Sequence, residues 1–125
     1  MRRRFRSDSD RGQVAIEYIG FVPVLLFVAL CAIQLGWVAY VHEQADTAAR
    51  TAARVEARKG SGGAAAGVAA VREGIGATVE VTKNADAVTA VATIPINSII
   101  PGLTFDEPAK ATAVMPNDDP KGPRP

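Results

Sequence analysis

The sequence predicts an α+β protein: a long N-terminal transmembrane helix continuing into an Ala-rich extracytoplasmic helix, followed by a small domain. Three observations predict it. Residues 18–41 form a run of 24 residues without a formal charge. Alanines recur at three- and four-residue spacings through residues 45–53. Beyond residue 76 the chain turns rich in Val, Thr and Ile with partial alternation, the period of half-buried strands.

Composition sharpens this division. Residues 13–41 hold 23 of the 60 hydrophobic residues, with the only Trp, both Tyr and the only Cys. Residues 42–125 hold 35, of which 19 are Ala, leaving 16 larger apolar side chains for a core in water. That is a thin supply for a catalytic domain. With 14 basic against 13 acidic residues the chain has no cationic excess to neutralise phosphates, which argues against a nucleic-acid partner.

The elements follow in order. Residues 1–12 carry five arginines against Asp8 and Asp10, a net of +3, and form a basic leader. Residues 13–41 form the transmembrane helix: 24 uncharged residues rise about 36 Å, enough to cross the hydrocarbon with some tilt. Thirteen of the 24 are Leu, Ile, Val or Phe, together favouring insertion by roughly 4–8 kcal/mol. A secretory signal is shorter, with about 7–15 apolar residues, so the run reads as a lasting anchor. The basic leader predicts a cytoplasmic N-terminus and an extracytoplasmic C-terminal region in a single pass of the inner membrane.

Residues 42–59 extend the helix, with Asp46 and Arg50 in the favourable i, i+4 order. Their alanine stripe suits close packing against a partner helix, or else belongs to a solvated stalk. Gly60, Gly62 and Gly63 end the helix and are expected to supply a hinge. The small domain, residues 60–115, is predicted to contain a short helix over 64–73 and strands over 77–82 and 87–96 joined by a turn at 83–86. A third strand over 109–115 would convert the β-hairpin into a three-stranded sheet, since two strands alone are marginal. From Pro116 to residue 125 four of ten residues are Pro, which predicts a disordered tail.

The motif that carries function lies where leader meets helix: Arg11-Gly12-Gln13-Val14-Ala15-Ile16-Glu17-Tyr18. A Gly followed five residues later by Glu and then Tyr, opening a long apolar helix beneath a basic leader, resembles the prepilin-peptidase site of type IV pilin-like proteins. The Glu-Tyr pair is closest to the Flp/Tad (tight adherence) branch. Pro23, the apolar run, Gly36 and the Ala-rich stretch 45–54 resemble the TadE-like pilus-assembly family, over about residues 11–58. The resemblance implies that Gly12 precedes the cut and that Gln13 becomes the new N-terminus. It implies prepilin peptidase, other pilin-like subunits, the pilus assembly machinery and the lipid bilayer as partners. An outer region of about 60 residues exceeds the near-bare helix of a Flp-type major pilin, which favours a minor or assembly role.

Elementary electrostatics accommodates that role. A carboxylate in an apolar run costs up to about 2.5–3.5 kcal/mol at a helix centre, less near an end. After cleavage the Gln13 α-ammonium could pair with Glu17 of a neighbouring subunit. Alternatively, Glu17 is an interfacial residue favoured by the helix dipole. Pro23 removes one N–H from the ladder, either as a kink or as a tolerated membrane proline. Ala29, Ala32 and Gly36 form a small-residue stripe that permits close helix packing.

No other chemistry emerges. The single Cys31 permits no intramolecular disulfide and no Cys-based metal site, and the single His42 has no Ser/Asp constellation around it. Neither a phosphate loop nor a dinucleotide fingerprint occurs. Asp106-Glu107 and Asp118-Asp119 sit in Pro-flanked segments without the look of an acid/base pair. The expectation is therefore no catalytic residue, cofactor, metal or small-molecule substrate. The competing function class is an unprocessed single-pass envelope protein whose outer domain binds another partner.

Overall fold

The computed structural model describes residues 8–118. Most of the leader and of the Pro-rich tail therefore lie outside the described residues. Helix α1 (Asp8–Lys59) is a single element of 52 residues, about 78 Å long at 1.5 Å per residue. It passes through Pro23 and across residues 41 and 42 without a break. The membrane run and its Ala-rich extension are one rod because no Gly or Pro interrupts the chain between Gly36 and Gly60.

The turn after α1 is tied down, where a hinge was expected. Gly60 and Gly62 adopt φ of 77° and 82°, a left-handed conformation that a Cβ disfavours. Gly60 N–H donates to Glu56 O at 2.8 Å, Gly63 N–H to Glu56 Oε2 at 2.8 Å, and Lys83 Nζ to Gly60 O at 3.4 Å. Helix α2 (Gly63–Ala69) then folds back along α1. It stops short of the expected Glu73. Arg72 N–H is taken by Gln44 Oε1 of α1 at 3.1 Å, and Val71 turns into the core at 9% exposure. Both contacts lead the chain off the helical path.

Strands β1 (Thr78–Lys83), β2 (Ala87–Ile94) and β3 (Ala109–Pro116) form an antiparallel sheet in the order β1-β2-β3. The three-stranded alternative is thus the one realised. Thr78 faces Thr93 across the first pair, and Ile94 faces Ala109 across the second. A tight turn closed by Asn84 N–H to Ala87 O at 2.8 Å joins β1 to β2. Strand β2 ends at Ile94, earlier than expected, because Pro95 has no N–H to give to a ladder. At the other end order runs further than expected. Pro116 pairs with Ala87, and Asn117 donates its backbone N–H to Asp86 O at 3.0 Å and its side-chain amide to Asn84 O at 2.9 Å.

Alternation along β2 sends Val88, Ala90, Ala92 and Ile94 inward, all fully buried. Ala90, Ala92 and Ile94 share one core with Val41, Ala45, Ala48, Ala49, Ala52 and Ala53 of α1, each at most 1% exposed. The alanine stripe is therefore satisfied within the chain, by its own sheet and by α2, where a partner helix or solvent was expected. Side chains of one carbon let the helix lie close on the sheet. The scarcity of larger apolar residues is met by proximity rather than by bulk.

Candidate functional site: the bare half of helix α1

Among the described residues, the stretch of α1 from Arg11 to Ala29 has no tertiary cover. Every residue from Arg11 to Ala29 is exposed, including Val14, Ile16, Ile19, Phe21, Leu26 and Phe27. A helix that is apolar on all sides and covered on none is built for a hydrocarbon solvent. By length and composition this helix can cross a membrane. Cover begins at the next residues, where Leu30 and Cys31 are half-buried, and a turn further on Gln34 is 4% exposed.

Gly12 and Gln13 lie on the exposed second turn of α1, and no atom beyond the helix itself comes within 4 Å of a Cβ built on Gly12. Their peptide bond lies within helix, whose local fraying Gly12 eases by about 1 kcal/mol relative to Ala. Glu17 and Tyr18 are adjacent and exposed, and with Phe21 they line a shallow depression on the helix surface. Pro23 sits inside the helix among exposed apolar neighbours. Gly36 is exposed with nothing within 4 Å, so within this chain it packs on nothing. The six residues thus occupy one continuous rod and are not brought together in a pocket.

Further out, Trp37 and Tyr40 stack with ring centroids 5.6 Å apart, and Trp37 is partly buried against the outer core. His42 is exposed. Arg50 approaches Asp46 at 3.7 Å, an exposed pair of little energetic weight. Among the described residues no group of three or more His, Cys, Asp or Glu could hold a metal ion.

Sequence reasoning missed two features. Gln34 Oε1 accepts the backbone N–H of Ile99 at 2.6 Å, while its Nε2 is buried without a partner. The signal was available: Gln34 is the one amide in the uncharged run 18–41. The second is Gly63-x-x-x-Gly67, the small-residue face on which α2 meets Ala48 and Ala52 of α1.

Comparison with known proteins bears on this half of the molecule. Residues 12–54 match the family model described as TadE-like protein. Neither curated proteins nor solved structures show a match. The matched stretch opens at the Gly12 junction, covers the whole bare helix and ends within the Ala-rich face that carries the sheet. The likeness covers about a third of the chain, from Gly12 to Arg54.

Proposed function

We propose that this protein is a pilin-like structural or assembly subunit of a Flp/Tad-type pilus system, which serves adhesion or secretion. It is inserted with its N-terminus in the cytoplasm and trimmed after Gly12 by a prepilin peptidase. The observation that carries the reading is the coincidence of the TadE-like match with the bare apolar helix opening at Gly12. A TadE-like segment associates the chain with Tad pili, whose other components are then its partners, and with structural or assembly work rather than catalysis. The exposed Glu17 and the exposed apolar surface around it give neighbouring helices something to recognise. In hydrocarbon, a Glu17 carboxylate gains most by meeting the α-ammonium that cleavage creates on Gln13 of another subunit. The Ala-rich outer half is already occupied by its own sheet, so assembly falls to residues 13–33.

N-terminal sequencing of the membrane-resident protein tests this directly. The expected first residue is Gln13, and a Gly12→Val variant is expected to retain the leader. A mature chain that still begins with the leader arginines overturns the processing and leaves an unprocessed single-pass envelope protein.

A further inference from the structure

The connection between β2 and β3 is long for a hairpin and unusually apolar. Among the described residues outside α1, the exposed large apolar side chains are Val68, Val114 and three in this loop: Ile99, Leu103 and Phe105, at 44%, 42% and 38% exposure. Phe105 is the only aromatic residue after Tyr40. The loop is held in shape. Ser98 Oγ donates to Ile100 O at 3.0 Å and accepts Ile100 N–H at 3.1 Å, Leu103 N–H donates to Ile100 O at 3.2 Å, and Gly102 turns the chain with φ 81°. It is also fastened to α1, through Ile99 N–H on Gln34 Oε1 at 2.6 Å.

That attachment fixes its level relative to a bilayer. Charged residues at 8, 10 and 11 keep the inner boundary of the hydrocarbon no lower than Gln13. The uncovered helix from 13 to 29 spans about 25 Å, short of the roughly 30 Å of a hydrocarbon core. Filling the core takes about 20 residues, which puts the outer boundary near Ile33, level with the Gln34–Ile99 contact. Lifting Glu17 out of the hydrocarbon, or tilting the helix, moves that boundary further along α1 and submerges the loop more deeply.

We infer that the 97–105 loop is a second membrane contact: Ile99, Leu103 and Phe105 enter the headgroup and upper acyl region of the leaflet next to the outer domain. The occupant of this patch is lipid, because the patch is continuous with the bare apolar helix and lies at its calculated exit. Asp106 and Glu107, which follow at once, stop deeper entry, since carboxylates stay at the aqueous side. The loop thereby sets the depth of α1 and holds the outer domain against the bilayer. This inference rests on the membrane-spanning reading of α1 and is independent of any cleavage.

Depth-dependent quenching tests it. The full chain carrying Trp37→Phe is reconstituted in phosphatidylcholine vesicles whose acyl chains are brominated near the glycerol end or near the methyl end. Single tryptophans are placed by Leu103→Trp and, separately, Phe105→Trp, with Phe27→Trp as the mid-helix control and Ala85→Trp at the far end of the sheet as the aqueous control. Both loop variants are expected to be blue-shifted and quenched several-fold more strongly than Ala85→Trp, most by bromines near the glycerol end. Loop tryptophans quenched no more than Ala85→Trp, while Phe27→Trp is quenched, overturn the inference and leave the membrane helix standing. Emission that follows the protein-to-lipid ratio and ignores the bromines means that a second copy covers the patch, which also overturns it. Failure of Phe27→Trp to be quenched overturns the membrane-spanning reading itself.

Discussion

Gly67 faces α1 at a distance that excludes a methyl group. A Cβ there would lie 2.7 Å from Ala48 O and 2.9 Å from Ala52 Cβ. Helix propensity alone favours Gly67→Ala by about 1 kcal/mol. The clash works against it, because a backbone carbonyl in a continuous helix moves only if α2 moves. Overpacking of this kind costs about 1–3 kcal/mol, so Gly67→Ala is expected to lower the thermal midpoint of the detergent-solubilised protein. A raised midpoint would show that α2 slides freely on α1. Glu17 poses the opposite case, an exposed residue on the stretch of α1 that no other described element covers. Glu17→Ala is expected to leave the outer domain's melting and the proposed cleavage after Gly12 unchanged while reducing co-assembly. Crosslinking yield between neighbouring subunits is the measurement, and normal assembly of that variant would exclude the ion pair with Gln13.

At the scale of elements, the junction of α1 and α2 carries more stability than its four loosely patterned residues indicate. Glu56 is half-buried and accepts Gly63 N–H through its carboxylate while its own carbonyl accepts Gly60 N–H. Glu56→Ala leaves the Gly63 N–H without its acceptor, an expected loss of about 0.5–1.5 kcal/mol. Asp46→Ala, which breaks only the exposed contact with Arg50, is expected to cost less than about 0.5 kcal/mol. Chemical denaturation of both variants checks the order. The elements themselves were largely legible. The long helix, the short one and two strands stood out in the pattern of apolar, Ala-rich and Val/Thr-rich stretches, with the third strand left as an alternative to a plain hairpin. Their ends were less so, because contacts distant in sequence set them: Gln44 draws Arg72 off α2, and Asn117 is held to the β1–β2 turn.

For the whole molecule, a bare apolar rod and a compact domain share one helix, and the domain cannot swing about a hinge. Its position relative to the bilayer follows from α1. The proposed cytoplasmic N-terminus would put the β1–β2 turn on the outer side. An Ala85→Cys variant in a Cys31→Ser background is expected to react with a membrane-impermeant maleimide in intact spheroplasts, before lysis. Reaction only after lysis would reverse the orientation. Packing residues 41–57 into the domain leaves only the part of α1 before them free to meet a neighbouring subunit in the proposed assembly.

The opening feature, a long apolar helix ahead of a small α+β region, was settled by sequence alone. Length, absence of charge and a basic flank are local properties, and the insertion energetics they imply need no knowledge of the fold. The Gly12/Glu17/Tyr18 register was equally local, being a pattern of neighbouring residues. What covers the alanine face was decided only by tertiary structure. A stripe of small residues fits a neighbouring helix, a solvent-exposed stalk or a sheet, and the choice depends on strands more than 30 residues away. The Gln34–Ile99 contact is of the same kind, joining residues 65 apart in sequence. A polar residue in an apolar run announces that it needs a partner, and only the folded chain supplies one.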